Sequence, residues 1–130
     1  MAAPNIVNVT TINGKSAVAD LGTTLTTTLM TVASNTVVKI NRITVANVDG
    51  TNAADVTVSI TKANFTPDGI SDFDTSGTFF IAKTISVPAD STLVLLDTPI
   101  YLMESDVLKG GAGAASDLDL FVSYESIDDA

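Results

Sequence analysis

Between Thr36 and Lys62 the chain reads TVVKINRITVANVDGTNAADVTVSITK, two β-branched runs separated by the polar insert Asn47 to Asp55. In the second run Val56, Val58 and Ile60 alternate with Thr57, Ser59 and Thr61. That period of two places apolar side chains on one face of a strand and hydroxyls on the other. The pattern predicts a long β-hairpin with an oily face and a solvated face, so that Val58→Asp disrupts the core and Thr57→Asp is tolerated. In the first run Val38 and Ile40 share one parity, and Ile43 and Val45 the opposite one. A bulge near Asn41 and Arg42 re-aims the face there.

The flanking segments extend a strand-only pattern. Ile6, Val7, Val9 and Ile12 lead to Asn13-Gly14, a hairpin signal that predicts a return strand over Lys15 to Leu21. Thr23 to Val32 holds six threonines and reads as a strand in spite of Leu25 and Leu29 standing four apart, because threonines lose side-chain freedom in helices. Ala33-Ser34-Asn35 makes a turn. Ala63 to Gly77 reads as a long loop punctuated by Pro67, Gly69 and Gly77 and anchored by Phe65, Ile70 and Phe73. Strands follow at Thr78 to Val87, at Thr92 to Leu96, expected to be buried on both faces, and at Ile100 to Met103, with turns at 88–91 and 104–106. The run GGAGAAS, residues 110 to 116, reads as a flexible connection. In the last strand, Asp117 to Ile127, Leu118, Leu120, Val122 and Tyr124 alternate with Asp119, Phe121, Ser123 and Glu125. About eight short strands without a helix predict one all-β domain over residues 1–130. The architecture is an antiparallel β-sandwich, either a jelly roll or an Ig-like Greek key.

Composition bounds the chemistry. The 130 residues hold no Cys, no His and no Trp. Disulfides, thiolate zinc sites, cysteine nucleophiles and the Ser-His triad are therefore absent, and an enzyme is not expected. A net charge of -9 opposes a sequence-independent grip on nucleic acid or on an anionic membrane. The N-terminus has neither the basic region nor the apolar run of a signal peptide.

Asn47, Asp49, Asn52 and Asp55 offer oxygens to calcium, but the order and distal Glu of an EF-hand are missing and Asp49-Gly50 is a turn dipeptide. Asp68, Asp72 and Asp74 read the same way. Gly110, Gly111 and Gly113 lack the Lys-Ser or Lys-Thr of a phosphate loop. No catalytic, cofactor or metal residue is expected. The nineteen threonines form either a solvated sheet face or a hydroxyl surface for a flat partner. Lys39 and Arg42, central in an acidic chain, are candidates for the positive half of a subunit contact. A sugar-binding module would need a stacking platform, for which only Tyr101 and Tyr124 are present.

The chain resembles small virion structural proteins of tailed phages, particularly those of marine cyanophages. The likeness lies in MAAPNIVNVTTINGKSAV, VVKINRITVANVDGTNAADVTVSI, ISVPADSTLVLLDTPIYLMESDVLK and LDLFVSYESI. It implies a non-enzymatic β-sandwich subunit present in many copies, used as a capsid decoration or cement protein on the outer lattice, or alternatively as a neck, tail or baseplate accessory. Implied partners are the major capsid protein or other virion proteins and further copies of the chain, a trimer being favoured. Residues 1–8, apolar and uncharged, are expected to form an extended arm reaching a neighbour.

Overall fold

A computed structural model describes residues 9–63 and 73–129 of the chain. The expected arm, residues 1–8, and the loop residues Phe65, Asp68, Ile70 and Asp72 lie outside the described residues. Among the described residues there are nine strands and no helix. They are β1 (Val9–Asp20), β2 (Thr28–Thr31), β3 (Thr36–Asn47), β4 (Ala54–Lys62), β5 (Gly77–Val87), β6 (Thr92–Leu96), β7 (Ile100–Leu102), β8 (Val107–Ala112) and β9 (Leu118–Asp129).

All pairings are antiparallel and nest around the β4–β5 connection. β4 pairs β5, β3 pairs β6 and β7, β2 pairs β8, and β1 pairs β9. Rolling this ribbon brings β9 against β3 and β8 against β4. The result is one sheet ordered β1-β9-β3-β6, with β7 beside the other half of β3, and a second ordered β2-β8-β4-β5. This is the jelly-roll arrangement, and it decides between the two sandwiches expected from sequence.

The core is aliphatic and fills the space between the sheets. Ile40, Ile43 and Val45 of β3, Leu118 and Leu120 of β9, Val56 and Val58 of β4, and Leu108 of β8 are all buried. Both halves of β3 face inward because the register against β9 slips between Ile40 and Arg42, leaving Asn41 as the extra residue. The expected bulge is therefore present, and it reconciles the two parities.

Several expectations are corrected. Thr36 to Lys62 is not a hairpin: β3 and β4 match the two expected runs to within two residues but lie in opposite sheets, and residues 48–53 cross between them. Asn13-Gly14 is not a turn either. β1 runs straight through it, with Asn13 opposite Ser126 and Gly14 opposite Glu125, because β9 offers a long ladder to pair with. β2 covers only Thr28–Thr31 of the threonine-rich run. β6 is an edge strand with Val94 45% exposed, not a strand buried on both faces.

The glycine-rich run is the largest departure. Gly110, Gly111 and Ala112 are buried in β8, between β2 and β4. Gly110 N–H donates to Thr27 O (3.1 Å) and Ala112 N–H to Gly22 O (2.8 Å). The chain between those acceptors crosses β8 so closely that a Cβ at Gly111 would lie 2.5 Å from Thr24 O and 2.8 Å from Leu25 Cα. Small residues are required there by close backbone approach.

Candidate interaction surface

Of the acidic candidates, Asp49 is engaged in holding its own loop. Asp49 Oδ1 accepts the N–H groups of Thr51 (2.8 Å) and Asn52 (3.2 Å), and its Oδ2 accepts from Asn52 Nδ2 (3.3 Å). Those donors, the Thr51 N–H first, hold the Asp49 carboxyl below its ordinary value. Buried Asn47 completes the loop, with Nδ2 donating to Val87 O (2.9 Å) and Asn52 O (3.0 Å) and Oδ1 accepting from Asp49 N–H (2.9 Å). The insert is a hydrogen-bonded crossover between sheets. Among the described residues no three acidic side chains gather as metal ligands, and of the second acidic group only Asp74 is described.

The basic candidates have partners within the chain. Lys39 stands opposite Glu125 in the ladder, with Nζ 3.6 Å from Oε2. Arg42 lies 3.1 Å from Asp97, and both side chains of that pair are more than half exposed. Tyr101 and Tyr124 point to opposite faces of their sheet, since Tyr101 pairs with Lys39 and Tyr124 with buried Ile40, so they form no joint platform.

A buried ion pair escaped the sequence reading. Asp106, expected in a turn, has no exposed surface, and its Oδ2 accepts from Lys62 Nζ (2.5 Å) and Met103 N–H (2.9 Å). Its Oδ1 accepts from Ala63 N–H (3.2 Å). This carboxylate ties the end of β4 to the start of β8. In the sequence it is one of two acids, with Glu104, between Leu102-Met103 and Val107-Leu108, and nothing there sets it apart.

The outer faces of the two sheets differ. On the β2-β8-β4-β5 sheet the hydroxyl face of β4 is covered: Thr57 and Ser59 are each 3% exposed, which corrects the expectation of a solvated face that tolerates Thr57→Asp. Thr57 Oγ1 accepts the N–H of Thr84 (3.0 Å), a residue held at φ 49° where β5 bulges against β4.

The β1-β9-β3-β6 sheet presents a bare outer face. Val18, Phe121, Thr44 and Val94 stand side by side across four strands, each opposite the next. Their inward neighbours Ala19, Leu120, Val45 and Leu93 pack against or within the core. Val18 is 68% exposed, Phe121 45% and Val94 45%. The sequence signal was Phe121, a large apolar residue on the polar parity of β9. Two residues along the strands on one side lie Asp20 and Asp119, and on the other lie Ser123 and Arg42.

No family model matches the chain, and no curated protein matches it in sequence. Solved structures similar to it include a chain of the disulfide-linked pili that form Bacillus endospore appendages. That chain has TM-score 0.42 and 14% identity, over 92% of this chain and 90% of that one. Another is VP2 of the infectious bursal disease virus subviral particle, with TM-score 0.42 and 15% identity over 90% of this chain and 32% of that one. A third is a pentameric capsid protein from metagenomic phage sequences, with TM-score 0.34 and 16% identity over 89% of this chain and 62% of that one. These are distant likenesses of β-strand arrangement and assign no activity to this chain.

Proposed function

We propose that the chain is a non-enzymatic structural protein of a tailed-phage virion that decorates or cements the outer capsid lattice. The observation that carries an assembly role is the bare outer face of the β1-β9-β3-β6 sheet, where Val18, Phe121 and Val94 stand exposed in one row with Thr44. The carboxylates of Asp49 and Asp106 fix a loop and two strand ends. The jelly roll supports the reading only by analogy with capsid domains of the same architecture. The placement in a tailed phage comes from the sequence resemblance.

In this reading the major capsid protein is the principal partner, further copies of the chain are a second, and residues 1–8 reach onto a neighbour. The trimer implied by the resemblance has no contact marked by the described residues.

Quantitative mass spectrometry and cryo-electron microscopy of purified particles test the proposal. The expected result is density for this fold over the whole shell, lost when residues 1–8 are deleted from a chain that still folds. Occupancy restricted to a single ring at the neck, tail or baseplate selects the accessory reading instead. Absence from particles overturns both.

A further inference from the structure

We infer that the outer face of the β1-β9-β3-β6 sheet binds a second copy of the chain, about a two-fold axis lying along the row Val18–Phe121–Thr44–Val94. The inference deepens the assembly reading and rests on it only in assuming that copies meet.

The two long sheet edges, β1 and β5, are protected against strand addition. β5 is bulged twice against β4, with a Thr84 N–H turned in to Thr57, and carries Lys83 with its Nζ 5.1 Å from the centre of the Phe80 ring. β1 carries Lys15 at the middle of its edge. Bulges and mid-edge lysines are the devices by which sheets avoid edge pairing. The outer face of the other sheet is crossed by its own chain at Thr24 and Leu25.

Charge then selects the occupant. Asp20 and Asp119 are directly opposite each other beside the row, and among the described residues neither forms an ion pair. Like charges in that position destabilise a sheet. On the far side of the row, also two residues along the strand, Arg42 projects from the same face with its side chain 57% exposed. Its contact with Asp97 is an exposed pair of little worth. A half-turn about the row exchanges the two flanks. It stacks Phe121 on Phe121 of the other copy and sets each Arg42 over Ala46 of the other copy, whose neighbour on β9 is Asp119, so the guanidinium meets that carboxylate diagonally across the contact. The surface is thus complementary to itself, as an isologous contact requires. Each chain carries a charge of -9, so a self-contact needs such compensation.

Sedimentation equilibrium of the full chain over a wide concentration range, at low and high salt, is the test. A monomer–dimer equilibrium that weakens with salt is expected. Phe121→Lys should abolish the dimer while leaving circular dichroism unchanged. Arg42→Asp should abolish it as well, and Arg42→Asp combined with Asp119→Arg should restore it. A wild-type chain that stays monomeric or forms chiefly trimers overturns the inference, as does a dimer that survives Phe121→Lys or a double variant that fails to recover. A chain found on particles yet monomeric in solution loses this inference alone. A dimer that obeys all three variants but is absent from particles loses only the proposed function.

Discussion

Asp20 and Asp119 face each other across the β1–β9 ladder on the open side of the sheet, two carboxylates where a sheet gains most from opposite charges. A directly opposed pair of like charge costs a few tenths to about 1 kcal/mol. Replacing Asp20 by the opposite charge should remove that cost from the monomer and give Asp119 a partner within its own chain, in competition with Arg42 across the contact. Asp20→Lys is therefore expected to raise the melting temperature of the dilute protein by about 1 to 4 °C. The same change should weaken self-association. Scanning calorimetry and sedimentation on one sample would show the two effects moving in opposite directions, and a variant that lowers both would contradict this account.

The Lys62–Asp106 pair lies at the other extreme of burial, with Asp106 fully enclosed and holding two backbone N–H groups besides the ammonium. Removing one partner of such a pair leaves the other charge and its donors without compensation. Asp106→Ala should cost about 3–5 kcal/mol in urea unfolding. Arg42→Ala, which breaks the exposed pair with Asp97, should cost under about 1 kcal/mol. Similar losses from the two variants would mean that Asp106 is wetter than its burial implies.

Strand bounds were legible in the sequence where the alternation was long. Val56, Val58 and Ile60 marked β4, and the parity change between Ile40 and Ile43 marked the bulge in β3. Which strand pairs with which was not legible, because period-two alternation identifies a face and says nothing about the neighbour. The polar insert after Asn47 therefore read as a hairpin turn, although Asn47 uses it to cross to the other sheet and reach Val87. Asn13-Gly14 read as a turn because local chemistry favours one there. The ladder to β9 overrode that preference. The face carrying Val18, Phe121 and Val94 showed in the sequence only as Phe121 on the polar parity of β9, for the same reason: its members come from β1, β9 and β6 and meet only in the folded sheet.

Gly110 and Gly111 show the same limit in side-chain size. An absent Cβ looks the same in a flexible linker and in a buried strand, and only the crossing of Thr24 and Leu25 separates the two. Gly111→Ala should force the backbone at Thr24 to move and cost about 1–3 kcal/mol, a typical penalty for overpacking. Gly14→Ala, where a Cβ meets nothing within 4 Å, should be neutral or stabilise by up to about 1 kcal/mol. Chemical denaturation of both variants is the check. A linker at residues 110 to 113 would make both substitutions harmless.

The crossover loop at Asp49 carries a dependence on pH. The N–H groups of Thr51 and Asn52 bond the ionised carboxylate, so its pKa in the folded chain lies below the ordinary 3.8. A group whose pKa is depressed by folding binds protons more readily in the unfolded chain. Its stabilising contribution is therefore complete above the ordinary carboxylate range and is lost as pH falls through the folded value. Nuclear magnetic resonance titration should show Asp49 as a carboxylate that ionises below its ordinary value, with the Thr51 and Asn52 amide signals shifting on the same curve. Asp49→Asn keeps an acceptor oxygen but no charge, so it should flatten that part of the stability profile while leaving the fold intact. If the amides titrate independently of Asp49, the carboxylate does not hold the loop, and the crossover from β3 to β4 depends on Asn47 alone.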